Sequence, residues 1–202
     1  MSPKLILASG SPRRRQLLAG LGLAFAVRPV DLDETPLDGE DPSEYVTRLA
    51  AAKARSQTGP DETTLAADTI VVLDGELLGK PQHPAEAREM LGRLAGREHR
   101  VLTGVAVYDG AAERLVTGIE SSRVTIAALS EEEIAWYVAT GEPLDKAGSY
   151  AIQDLGALFV ERVEGNYTNV VGLPLPLTYR LFRQLGSDLL SFRLARPSHR
   201  RS

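Results

Sequence analysis

The sequence has no cysteine, so neither a disulfide framework nor a thiolate-bound zinc site is open to it. Long apolar runs are missing too: nothing approaches the roughly 18 residues of a membrane span. The N-terminus carries one lysine and a short apolar stretch, too little for a signal peptide. No membrane partner is expected, and cytoplasmic residence is the default, although lack of cysteine fits any compartment. A basic excess is absent as well. Lys and Arg number 23 against 27 Asp and Glu, a net charge of −4, which excludes a nucleic-acid binder working by bulk electrostatics. Histidine is scarce: His83 precedes a proline, His99 reads as part of a polar turn, and His199 lies near the end. None has a serine or acid partner at a spacing that suggests a hydrolytic triad, and no histidine-based zinc site emerges.

What is present is an ordinary globular composition, 43% hydrophobic and 25% charged over 202 residues. That suffices for one domain, or one domain with two lobes, around a real core. No internal repeat or low-complexity linker divides it. Strand-like stretches at residues 4–8, 24–29 and 65–73 alternate with helix signals. Asp41-Pro42-Ser43-Glu44 opens a helix to about Gln57, with Tyr45, Val46, Leu49, Ala50 and Ala54 on one face. Another helix follows Pro84 and stops before Gly96. Residues 100–108 and 114–129 are β-rich and are separated by Asp109-Gly110, a hairpin signal. Ser130-Glu131-Glu132-Glu133 is a capping box opening a helix to about Thr140. Residues 158–163 read as a strand and 175–185 as a last helix. Strand–helix alternation with a long hairpin inside predicts an α/β fold with a mixed sheet rather than all-parallel winding. The folded domain is placed at residues 1–186. The basic segment 187–202, with Arg193, Arg196, Arg200 and Arg201, reads as a flexible tail, docking on the body or on another subunit being the alternative.

Four stretches carry the chemistry. In "LILASGSPRRRQLL", a strand ends in small residues, and Ser11-Pro12 starts a helix as N-cap and first helical position. Arg13, Arg14 and Arg15 then sit at the positive end of the helix dipole, where each cation costs roughly 0.3–1 kcal/mol. Free backbone N–H groups at such an end cradle anions, and a polyphosphate would turn the cost into a gain. Three consecutive residues fan out over about 200° of a helix, so one or two arginines face a ligand and the rest are surface.

In "LAADTIVVLDGELLGKP", Asp68 stands in an otherwise apolar run. A carboxylate there is paired, metal-bound or catalytic, or else caps a turn at the strand end. Gly79-Lys80-Pro81 fails the P-loop pattern because the required Ser/Thr is a proline, yet Lys80 remains within reach of a phosphate. The stretch "VDLDETPLDGEDP" holds six acidic residues. Most are solvated, while Glu34 and Asp68 are of the right type to hold a hard cation, which needs one or two carboxylates plus substrate phosphates. Lys53 and Arg55 lie among Ala-rich turns, where lone basic residues are ordinarily on the surface. Residues 141–174 are rich in Gly, with Gln153, Asn166 and Asn169 between apolar stretches, which suits either a pocket wall against a planar ligand or ordinary turns.

Taken together, "LILASGSPRRRQLL", the acidic loop with Glu34, "YVTRLAAAKA", "AADTIVVLDGELLGKP" and "DKAGSYAIQDLGALFVERVEGNYTNVVGLPL" resemble the Maf family of nucleoside triphosphate pyrophosphatases. The likeness runs in order from Leu5 to Leu185. It implies hydrolysis of the bond between the α- and β-phosphates of a nucleoside triphosphate, giving the monophosphate and pyrophosphate, with a divalent metal cation, Mg²⁺ or alternatively Mn²⁺. It implies a two-lobed mixed-sheet α/β fold similar to that of the inosine triphosphate pyrophosphatases, an active-site cleft between the lobes, and a homodimer. By the same resemblance, Asp68 is the general base that activates water and, with Glu34, associates with the metal. Lys53 and Lys80 join it as catalytic residues that bind phosphate. Ser9 and Arg13 bind phosphate as well, while Arg13, Thr69 and Gln153 influence base selection. "DKAGSYAIQ" with Gln153 is similar to the branch acting on dTTP and UTP and on modified pyrimidine nucleotides. The branch acting on 7-methyl-GTP is the alternative, as is a nucleotide-binding regulator of septum formation with little turnover.

Overall fold

A computed structural model of the chain describes residues 4–194. Its organising element is β3 (Glu62–Leu73), buried along almost its whole length. A strand covered on both faces reads as a nearly continuous apolar run, as this one does. Successive side chains alternate between the faces. On one face, Leu65 and Ala67 join a core with Leu5, Leu7 and the last long helix, while Val71 and Leu73 join a second core. On the other face, Ala66 packs among small residues including Ala50 and Ala54, and Ile70 and Val72 pack on Tyr45, Val46 and Leu49. Asp68 and Thr69 fall between these clusters, back to back across the sheet.

The remaining elements are β1 (Lys4–Leu7), α1 (Pro12–Gly20), β2 (Ala26–Val27), α2 (Pro42–Ser56), β4 (Glu76–Leu78), α3 (Pro84–Leu94), β5 (Glu98–Asp109), β6 (Arg114–Ile126), α4 (Glu131–Ala139), β7 (Val160–Glu164), α5 (Tyr167–Val171) and α6 (Leu175–Leu185). The strand order is β2-β1-β3-β5-β6-β7, with β4 also on β3. β1 runs parallel to β2 and β3, and the other pairings are antiparallel. The mixed sheet expected from the hairpin signal is therefore present. Asp109 ends β5 and accepts from the backbone N–H groups of Ala111 and Ala112. The capping box at Ser130 and Glu133 is formed in both directions.

α2 approaches the sheet closely at Gly104. A Cβ there would lie 2.3 Å from the Val46 carbonyl oxygen, so only glycine admits the helix. Gly104 is also the cross-strand partner of Asp68. This contact presses the face of α2 that carries Val46, Leu49 and Lys53 against the middle of β3.

Several expectations are corrected. The segment after Gly186 is not free over residues 187–194: Leu189 and Phe192 are buried in the first core, and the Phe192 ring meets Phe182 edge-on at 6.1 Å. Two apolar side chains at the right spacing outweigh the polar composition around them. Residues 195–202, which include Arg196, His199, Arg200 and Arg201, lie outside the described residues. His99 is not in a turn but inside β5, 3% exposed. The strand expected at 158–163 begins at Val160, after a 3₁₀ stretch at Asp154–Phe159. Among the described residues no helix is long and apolar enough to cross a membrane.

Candidate active site

β1 accompanies β3 as far as Leu65, where the Ala8 N–H still reaches the Leu65 carbonyl at 2.9 Å. β4 returns to the same edge of β3 only at Val71. Between them, residues 66–70 have no strand neighbour on that edge among the described residues. The chain peels away at Ser9 into the small-residue loop before α1, and a cavity of about 790 Å³ opens there between the two cores. All eight residues expected at the site line it: Ser9, Arg13, Glu34, Lys53, Asp68, Thr69, Lys80 and Gln153.

On the α2 side of the sheet, Lys53 is buried rather than on the surface. Its Nζ lies 2.6 Å from Asp68 Oδ1 and 2.5 Å from Glu34 Oε1. Asp68 is deep, whereas the Glu34 side chain is 49% exposed. Lys53 thus neutralises a carboxylate whose unpaired burial would be very costly, and holds a second one at the cavity mouth. Tyr45 on α2 fixes the Glu34 loop by donating to the Glu34 carbonyl at 2.8 Å. Burial, with the nearby charges of Asp68 and Glu34, pushes the Tyr45 hydroxyl up to about 12, so it stays a donor at any working pH.

On the opposite side Arg14, not Arg13, is the most engaged arginine. Its Nε donates to the Gly172 carbonyl at 2.7 Å, Nη2 to Thr69 Oγ1 at 2.9 Å, and Nη1 to Ser9 Oγ at 3.1 Å. Thr69 Oγ1 also contacts Thr103 Oγ1 at 2.9 Å. Gly172 adopts a φ of +116°, a left-handed conformation that glycine takes at little cost, at the C-cap of α5. Burial holds the Arg14 guanidinium below its ordinary value, against the opposing charge of Asp68. Arg15 points to solvent. The three adjacent arginines therefore have three fates: cavity wall, structural fork and surface.

Across the mouth, Arg13 meets Asp145 at 3.5 Å. Lys146, also buried, donates to Asp145 Oδ1 at 2.6 Å and to the Glu142 carbonyl at 2.7 Å. Desolvation raises the Asp145 carboxyl, but Lys146 and Arg13 outweigh it and hold it below the usual range. Lys80, on the loop after β4, is exposed and has no acidic partner among the described residues. Gln153 is half-buried on the wall beyond Tyr150.

Tyr150, itself part of the cavity wall, is tied to His99: Nε2 and the hydroxyl are 2.7 Å apart. Burial holds His99 down to about 4. Its unfolded-state value lies near 6.5, so between those values the unfolded chain binds a proton that the folded one does not. Stability is then lost as pH falls from 6.5 to 4, by about 3 kcal/mol from this group. Denaturant unfolding measured at pH 7, 5 and 4 should show that slope, reduced by this amount in His99→Gln. An identical slope in the variant would remove His99 as its source.

The donor set fits a hard cation. Glu34 and Asp68 turn carboxylate oxygens toward one point, now bridged by Lys53, and Mg²⁺ takes one or two carboxylates with the remaining positions filled by phosphate and water. No cluster of three or more metal-ligating side chains occurs among the described residues. Arg14, Tyr45, Asp145, Lys146 and Tyr150 are site residues that the sequence did not single out.

Comparison with known proteins matches residues 4–185 to the family model described as Maf-like protein. A dTTP/UTP pyrophosphatase of Anaeromyxobacter dehalogenans (strain 2CP-C) is 54% identical over 191 residues, covering 94% of this chain and 97% of that protein. Those of Symbiobacterium thermophilum and Syntrophus aciditrophicus are 51% and 47% identical. They cover 93% of this chain, and 97% and 92% of their own lengths. Among solved structures, a HAM1 protein from Coxiella burnetii matches with a TM-score of 0.45 at 18% identity, covering 63% of this chain and 74% of that one.

Proposed function

This chain belongs to the Maf family, and from that membership we propose that it hydrolyses dTTP and UTP to the monophosphate and pyrophosphate. The observation that carries the reading is the Asp68–Lys53–Glu34 cluster, with contacts of 2.6 and 2.5 Å, in a cavity whose other walls present Ser9, Arg13 and Lys80. A binding module has no need of a buried carboxylate poised this way.

Water attacks at the α–β anhydride, the phosphorus–oxygen bond between those phosphates breaks, and pyrophosphate leaves. Asp68 accepts the proton of the attacking water, or orients it, as a positioned carboxylate does. Lys53 holds the Asp68 carboxylate in place through its 2.6 Å contact. Arg13 and Lys80 face the phosphates and offset charge on the leaving group. Glu34 and Asp68 would hold Mg²⁺ or Mn²⁺, which when bound polarises and neutralises phosphate oxygens. The backbone N–H groups at the start of α1 add to the anion cradle.

A cavity of about 790 Å³ lies within the range of small-molecule sites and accommodates one nucleotide. The Gln153 amide offers a donor and an acceptor side by side, matching the alternating carbonyl and N–H edge of uracil or thymine. Thr69, held by Arg14, lines the same cavity.

Pyrophosphate release from a panel of triphosphates with Mg²⁺ tests the reading. The expected order is dTTP and UTP above all others, by about tenfold or more in kcat/KM, since a mismatched hydrogen-bonding edge leaves polar groups unpaired. Turnover confined to 7-methyl-GTP overturns the base assignment. Nucleotide binding without turnover favours the septum-regulator reading instead.

A further inference from the structure

Gln153 sits in a short loop that its own backbone does not hold. Ile152 and Gln153 line the cavity, yet the backbone N–H groups of Ile152, Gln153 and Asp154 donate no hydrogen bond among the described residues. Asp154 has a φ of +56°, an uncommon conformation for a residue with a side chain. Such a conformation persists only where its surroundings over-determine it. The constraint therefore comes from the two ends of the loop.

Those ends meet at one carboxylate. Glu142 Oε1 accepts from the Gly156 N–H at 2.9 Å and from the Tyr137 hydroxyl at 2.8 Å. Its Oε2 accepts from the Leu155 N–H at 3.1 Å. The Tyr137 hydroxyl, on α4, accepts in turn from the Ala151 N–H at 3.1 Å. Residues 151 and 156 are thereby tied together across the loop. The junction is close-packed: a Cβ at Gly156 would lie 2.4 Å from both the Ala151 carbonyl oxygen and the Tyr137 hydroxyl, so only glycine fits. Burial, with the Glu142 bond, pushes the Tyr137 hydroxyl above its ordinary value, and it remains a donor. Hydrogen bonds to a carboxylate are about twice as strong as neutral ones, which suits Glu142 to holding the loop against the strain at Asp154. Glu142 itself is not on the cavity wall.

Building on the assignment of Gln153 to base selection, we propose that Glu142 is a positioning residue for that selection. From outside the cavity, its carboxylate closes the loop 151–156 and so fixes the Gln153 amide against the nucleobase. An amide held in one place presents its donor and acceptor to one base edge. On a loose loop the same amide re-aims and accepts a cytosine edge as well as a thymine edge, as adaptable binding surfaces do. Glu142 thus governs selectivity more than turnover, since the phosphate-binding residues lie on other segments.

The test is the ratio of kcat/KM for dTTP to that for dCTP, two pyrimidines that differ at the hydrogen-bonding edge, with circular dichroism to verify folding. Glu142→Gln keeps the size of the side chain but sets an amide NH₂ against donors that the carboxylate accepts. It is expected to lower the ratio about tenfold, the worth of one hydrogen bond, with kcat for dTTP within about threefold of the parent. A merely structural loss would lower both nucleotides equally and leave the ratio alone. Tyr137→Phe removes the hydroxyl between Ala151 and Glu142 and should shift the ratio in the same direction, so the outcome does not hang on one variant folding. Gln153→Ala should lower the ratio as well. Adding Glu142→Gln to it should change the ratio no further, because residues that act through one contact are not additive. A ratio unchanged in both Glu142→Gln and Tyr137→Phe, while Gln153→Ala lowers it, would overturn the proposal and leave the assignment of Gln153 standing. An equal further fall in the Gln153→Ala background would also overturn it, since Glu142 would then act by another route. A ratio unchanged in Gln153→Ala would overturn both.

Discussion

Asp68→Asn is expected to lose about 10³-fold in kcat for pyrophosphate release while retaining nucleotide binding. Asparagine keeps the shape of the side chain and a polar contact for Lys53 but cannot take a proton, and a positioned general base contributes roughly 10²–10⁴-fold. Glu34 remains 2.5 Å from Lys53 Nζ, so the buried ammonium is not left without a counter-charge and the variant should fold. Single-turnover rates alongside equilibrium binding of dTTP separate the two effects. A loss confined to kcat places Asp68 in the chemical step. Turnover within about tenfold of the parent would contradict the mechanism.

The second large effect is expected at Arg14. Its fork engages three acceptors on three separate segments: Ser9 before α1, Thr69 on β3 and Gly172 after α5. A lysine preserves the charge but offers a point donor that cannot span that geometry. Arg14→Lys should lower kcat/KM for dTTP about 10²-fold, because the anion loop and the Thr69 wall lose their mutual alignment. It should also lower stability by about 2 kcal/mol, the scale of a hydrogen bond to a charged group. Arg15→Ala, at a solvent-facing position, should leave both within the small range of surface substitutions. Steady-state kinetics and urea unfolding on the two variants decide the matter. Equal, small effects would return Arg14 to a solvated cation.

These expectations also mark what could be read from residues alone. The placement of Asp68 in an apolar run needed only the cost of burying charge, and Asp68 lines the cavity. The start of α1, the capping box at Ser130 and the hairpin at Asp109 are local, and each follows from a few adjacent residues. The eight expected site residues were assembled from family resemblance, and all reach one cavity. Arg14 was not distinguishable from its neighbours, because its role depends on a carbonyl 158 positions away in the chain. Lys53 and His99 misled for the same reason. A basic residue on a helix and a histidine between charged neighbours look solvated until Asp68 and Tyr150 are brought beside them. Leu189 and Phe192 were lost in a polar segment whose docking partner, Phe182, had to be placed first.

β3 and β5 each contribute to both cores, Leu65 and Val107 to one, Leu73 and Val101 to the other. They are paired without interruption from Thr63 opposite Asp109 to Val72 opposite Arg100. The two lobes are therefore not joined by a linker that could swing. To widen or narrow the cleft, the molecule must twist a ten-rung ladder sandwiched between close-packed side chains, which yield little. The cleft behaves as a fixed gauge cut into one block. A ligand entering the cleft would then have to fit dimensions set at folding, rather than have the walls close around it.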